Sequence, residues 1–186
     1  MYKERSVSVN KRRKDLIKWI PSILTLGNLS CGIFAILMLS WDSEAAVLLI
    51  IIGMIFDLLD GFAARKLHAQ SLFGQELDSL CDMVTFGVAP ALLIYVEKLY
   101  HLNMIGVLLV ALFIICGAIR LARFNIQADQ MNDFLGVPIT IAGGFLAVFS
   151  LLASQLKMSF TVIVIILLSV LMVSRVRFPS LKKWLK

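Results

Sequence analysis

Four of the chain's 12 acidic residues, Asp57, Asp60, Asp78 and Asp82, stand at the ends of two consecutive apolar segments. A carboxylate at membrane depth costs several kcal/mol unless it is paired, hydrated or bound to metal. Asp57 and Asp60 are three residues apart and Asp78 and Asp82 four apart, so on helices each pair shares a face. The 17 residues between Asp60 and Asp78 include Gly61, the Arg65–Lys66 pair and Gly74. That length lets one helix finish, turn and start its antiparallel successor, so that all four carboxylates face one pocket. Like charges that close do not all stay ionised without a cation. A cluster of oxygens with no His or Cys in it selects a hard ion, Mg²⁺, Mn²⁺ or Ca²⁺.

The residues beside the acids point to a phosphate substrate. Gly61 and Ala64 remove bulk next to Asp60, and Arg65 and Lys66 offer donors at the pocket rim. A metal site flanked by basic side chains is equipment for displacement at phosphorus.

The elements that must hold these residues are membrane helices. Of 186 residues 60% are hydrophobic and 16% charged, with a mean hydropathy of +0.90, where a soluble domain is about a quarter charged. Six apolar segments are predicted as transmembrane helices: 23–39, 45–64, 77–96, 102–122, 136–153 and 159–173. Their continuous runs favour helices over barrel strands. With six spans, 16 Lys and Arg fall on the side of the two termini and only Lys98 and Lys157 on the other. The positive-inside rule makes the rich side cytoplasmic and places the acids there. The cell membrane is the expected location.

Three units are expected: a basic N-terminal segment 1–20, a six-helix catalytic domain 21–174 and a basic tail 175–186. Residues 11–20 are predicted as an amphipathic surface helix, ended by a break at Pro21. Pro90 predicts a kink in the third span. The net charge of +6 sits mainly in the two termini, which suits anionic lipid and argues against nucleic acid. Cys31, Cys81 and Cys116 lie in apolar runs and read as packing residues. No cleavable signal peptide is expected. His68 reads as a loop residue and His101 as an interfacial one.

Asp57, Asp60, Gly61, Ala64, Arg65, Gly74, Asp78 and Asp82 together resemble the full signature of the CDP-alcohol phosphotransferase family, with eight fixed positions in 26 residues. The resemblance implies a six-helix, usually dimeric membrane enzyme that moves a substituted phosphate from a CDP-linked donor to an alcohol. It implies metal, two ions, at Asp57, Asp60 and Asp78, with Asp82 touching the second ion and acting as general base. It implies donor contacts at Gly61, Ala64, Arg65, Ser71 and Gly74. The run Pro21–Asn28 resembles the first-helix segment near the nucleotide and adds Thr25, although Ser22 stands where many members have Asn.

The acceptor is addressed by a second resemblance. The stretches Asp78–Ala91, Cys116–Asn125, Phe134–Pro138 and Leu26–Gly32 resemble the branch that uses CDP-diacylglycerol and L-serine. Arg120 and Arg123, three apart at a predicted cytoplasmic helix end, suit a carboxylate or phosphate, or else lipid headgroups. Asn125 is either a substrate donor or a helix cap. Glycerol 3-phosphate and inositol phosphate are the alternative acceptors. A cation transporter using the aspartates as an ion path is the alternative from another class.

Overall fold

The computed structural model describes the backbone of residues 2–127, 134–174 and 177–178, and the side chains of residues 19–126 and 136–174. The described residues form a bundle of seven α-helices: α1 (Tyr2–Met38), α2 (Ser43–Lys66), α3 (Leu72–Asp82), α4 (Ala89–Glu97), α5 (Met104–Gln127), α6 (Ile139–Ala153) and α7 (Met158–Val173). A π-helical segment, Met83–Val88, joins α3 to α4 without a loop. The one extended pairing among the described residues is the two-residue β1 (Phe134–Leu135) against β2 (Arg177–Phe178).

Among the described residues four stretches are long and apolar enough to cross a membrane: Trp19–Met38, Ser43–Lys66, Leu72–Glu97 and Met104–Ile126. The chain is therefore membrane-embedded. Helices α6 and α7, the expected fifth and sixth spans, are apolar but have only 15 and 16 residues. They rise about 22–24 Å, short of the roughly 30 Å hydrocarbon core. Pro138 stands at the N-cap of α6, which starts three residues later than the apolar run.

Two proline expectations resolve differently. No break occurs at Pro21, which lies inside a continuous α1. The side chains of residues 11–18, on which the amphipathic surface helix was predicted, lie outside the described ones. In the third span the irregularity is present but upstream of Pro90. Proline has no N–H to give to the preceding turn, and the helix widens over Met83–Val88, where the Ala89 N–H reaches Val84 O. Such π turns are a recognised cause of helix bending.

Helix α1 shows why the chain packs as it does. Pro21, Thr25, Asn28, Cys31 and Ala35 are buried, three to four residues apart, so one stripe faces inward. Ile23, Phe34 and Leu37 on the other side are 64, 55 and 60% exposed, a surface suited to lipid. The inward stripe packs against α2, α3 and the π segment. Asp42 caps α2 by accepting from the Ala45 N–H at 2.9 Å, and Arg65 and Lys66 lie in its last turn, where the helix dipole favours cations.

Glycines set how closely the helices approach the π segment. A Cβ on Gly32 of α1 would collide with Thr85, and one on Gly143 of α6 with the Phe86 backbone. The α7 C-terminus is tied down as well. Gly136, at φ +77°, turns the chain so that the Val137 N–H donates to Leu171 O at 3.2 Å.

Candidate active site

The site forms where the C-terminal parts of α2, α3 and α5 meet the first turn of α6. Asp57 and Asp60 come from the last turns of α2; Asp78 and Asp82 come from α3. One carboxylate oxygen from each of Asp57, Asp60 and Asp78 lies within 4.8 Å of the others. Asp60 Oδ2 and Asp78 Oδ1 are buried with no hydrogen-bond partner. Buried anionic oxygens left that way carry a heavy desolvation cost, and a cation among them removes it. The donor set is all oxygen, so the residues fit a hard divalent ion.

Asp82, 6% exposed, is the last residue of α3 and immediately precedes the π segment. Asn28 Nδ2 donates to its Oδ1 at 3.1 Å. Thr140, at the start of α6, donates from Oγ1 to Asp57 Oδ2 at 3.4 Å. Neither partner was picked out from the sequence as supporting a carboxylate. The available signal was Thr25 and Asn28, two polar residues one turn apart inside an apolar helix.

Thr25 is buried and near Asp60, and its hydroxyl donates to Pro21 O at 3.0 Å. Gly61 leaves space beside Arg65: a Cβ there would lie 3.5 Å from Arg65 Nη1. Ala64 is half-buried on the same turn, and Arg65 is exposed. Lys66 Nζ stands 5.5 Å over the Phe62 ring. Ser71 accepts from the Gly74 N–H at 3.0 Å, which makes it the N-cap of α3.

Arg120 is 9% exposed, and its Nε is buried without a partner. It lies within electrostatic reach of Asp82 and Asp57. Its guanidinium carbon sits 5.2 Å from the Phe124 ring centre. Arg123 turns elsewhere: Nη1 donates to Val173 O at 2.8 Å, holding the last carbonyl of α7. Asn125 lies in the last described turn of α5. It accepts from Ser79 Oγ at 3.0 Å and donates to Glu76 Oε2 at 3.2 Å, tying α5 to α3. The expected acceptor trio is thus split, with Arg120 alone at the acids. His68 is an exposed loop residue at φ +49°, and His101 an exposed residue of a short 3₁₀ turn.

Residues 18–174 match the CDP-alcohol phosphatidyltransferase family. The chain belongs to that family. All eight signature positions read in the sequence fall within the matched range, and family membership favours a transferase over an ion path. Among its relatives is a CDP-diacylglycerol–serine O-phosphatidyltransferase of Bacillus subtilis (strain 168), 44% identical over 168 residues, 90% of this chain and 93% of that protein. A protein of the same name from Helicobacter pylori (strain ATCC 700392 / 26695) is 39% identical over 176 residues, 88% of this chain and 73% of that one. An archaetidylserine synthase of Methanothermobacter thermautotrophicus is 36% identical over 165 residues, covering 86% and 69%.

Proposed function

We propose that this membrane enzyme transfers the phosphatidyl group of CDP-diacylglycerol to the hydroxyl of L-serine, giving phosphatidylserine and CMP. The observation that carries the reading is the buried Arg120, unpartnered at Nε and within electrostatic reach of Asp57 and Asp82. A guanidinium beside a carboxylate cluster suits an acceptor that carries its own carboxylate. The names of the relatives support serine in particular.

In this reading Asp57, Asp60 and Asp78 would hold metal, and Asp82 would face a second ion. Mg²⁺ or Mn²⁺ suits the donor set, with Ca²⁺ the third choice. An ion held there would supply positive charge against the donor diphosphate. Thr25, Gly61, Ala64, Arg65, Ser71 and Gly74 form the donor-side wall, with the two small residues leaving room and Arg65 meeting phosphate. Asp82 accepts the proton of the serine hydroxyl as that oxygen forms its bond to the phosphorus bearing diacylglycerol. The bond from that phosphorus to the CMP oxygen breaks, and CMP leaves with the electron pair.

Six spans put both termini and the site on the cytoplasmic side of the cell membrane, where serine and CMP are soluble and the acyl chains stay in lipid. The meeting of the C-terminal parts of α2 and α5 with the first turn of α6 supports that count. Residues 1–20 and 175–186 act as basic flanks of the catalytic unit 21–174, and the working form is a homodimer. Replacing Asp82 with Asn tests the mechanism: turnover is lost while CDP-diacylglycerol binding persists. Full turnover in that variant removes Asp82 as base.

A further inference from the structure

We infer that Asn28 is a positioning residue for the reaction: it holds the Asp82 carboxylate in the orientation from which it accepts the acceptor's proton. This rests on the reading of Asp82 as the base.

Asn28 is fully buried on the inward stripe of α1. Its Nδ2 donates to Asp82 Oδ1 at 3.1 Å. With Asp82 ionised, as a base must be, the opposite amide orientation would set a carbonyl oxygen against a carboxylate oxygen, so the amino group faces Asp82. The bond occupies Oδ1 and leaves Oδ2 without a protein donor among the described residues. A carboxylate held through one oxygen has its terminal torsion fixed, and that torsion is otherwise soft.

The helix turn that carries Asn28 is itself fixed in place. Thr85 Oγ1 donates to the backbone carbonyl of Asn28 at 3.0 Å, which ties this turn of α1 to the π segment that follows Asp82 directly. Gly53 of α2 presents bare backbone: a Cβ there would lie 3.0 Å from Asn28 Oδ1 and 2.7 Å from Thr85 Cγ2. Gly32 admits Thr85 to α1. Asn28 Oδ1 has no hydrogen-bond partner, so the buried amide is an unfavourable way to fill this space. Its amino group on Asp82 accounts for it.

The test is a double-mutant cycle in purified, detergent-solubilised protein, using CDP-diacylglycerol and serine. Asn28→Leu keeps the shape and removes the donor; Asp82→Glu moves the carboxylate away from it. Asn28→Leu is expected to lower kcat about 100-fold while leaving the KM of both substrates and CDP-diacylglycerol binding within about threefold. In the Asp82→Glu background the same change costs less than about threefold, because the contact is already gone. An equal loss in both backgrounds, or a loss seen in KM and melting temperature rather than in kcat, overturns the proposal. If Asn28→Leu does not fold, Thr85→Val reports instead: a kcat drop of about fivefold at constant KM is expected, and unchanged kcat overturns it. Full turnover by Asp82→Asn is a separate result that removes the base itself.

Discussion

Thr140 on α6 donates a hydrogen bond to Asp57 on α2 across 83 residues of sequence, at 3.4 Å. The bond joins a proposed metal-holding carboxylate to the first turn of a helix that contributes no acid. Replacing Thr140 with Val keeps the shape and removes the donor. The metal concentration for half-maximal activity should rise about 10-fold, as for outer partners of metal ligands, with the melting temperature little changed. Titration of activity against Mg²⁺ or Mn²⁺ checks this, and an unchanged curve removes Thr140 from the site.

The two arginines at the end of α5 should separate in function. Arg120→Lys should raise the KM for serine by at least about 10-fold, because a lysine lacks the planar fork that meets a carboxylate. Arg123→Gln should leave both KM values within about threefold and instead cost about 1 kcal/mol of stability, since its contact is the Val173 carbonyl. Steady-state kinetics and thermal melts on the two variants decide it. A serine KM defect confined to Arg123→Gln would reverse the assignment.

Glycine replacements should grade by what they strike. A Cβ at Gly143 meets the Phe86 backbone, which cannot swing away; one at Gly53 meets the side chains of Thr85 and Asn28. Gly143→Ala should therefore destabilise more, by about 1–3 kcal/mol. Gly53→Ala should lower kcat with a smaller effect on melting. Equal melting losses with unchanged kcat in Gly53→Ala would contradict the packing argument.

Chelation should stop CMP release, and added Mg²⁺ or Mn²⁺ should restore it. Metal should also raise the melting temperature of the unmodified protein. That increment should shrink in Asp57→Asn, Asp60→Asn and Asp78→Asn. A metal-induced shift that survives all three changes would place the ion elsewhere.

The chemistry was more legible in the sequence than the scaffold. Asp57, Asp60, Asp78 and Asp82 stand out because acids are rare in this chain and costly at membrane depth, and their spacing alone puts each pair on one helix face. Arg120 and Arg123 looked equivalent because three-residue spacing fixes a shared face but not what each long side chain reaches. Only the approach of the α7 end to α5 separates them. Asn28 and Thr140 were hidden for a related reason: each meets its aspartate across more than 50 residues of chain. The π segment was foreshadowed by Pro90, but a proline marks the missing donor rather than the turn that absorbs it. The shortness of α6 follows from Pro138 as N-cap, which the hydropathy of the run does not register.

The most direct test of the central claim is a competition between labelled serine and labelled glycerol 3-phosphate, using purified protein, CDP-diacylglycerol and Mg²⁺ or Mn²⁺. The account predicts label in phosphatidylserine, one CMP released per serine consumed, and loss of both on chelation. Label entering lipid from glycerol 3-phosphate in place of serine, or lipid formation indifferent to chelator, would contradict it.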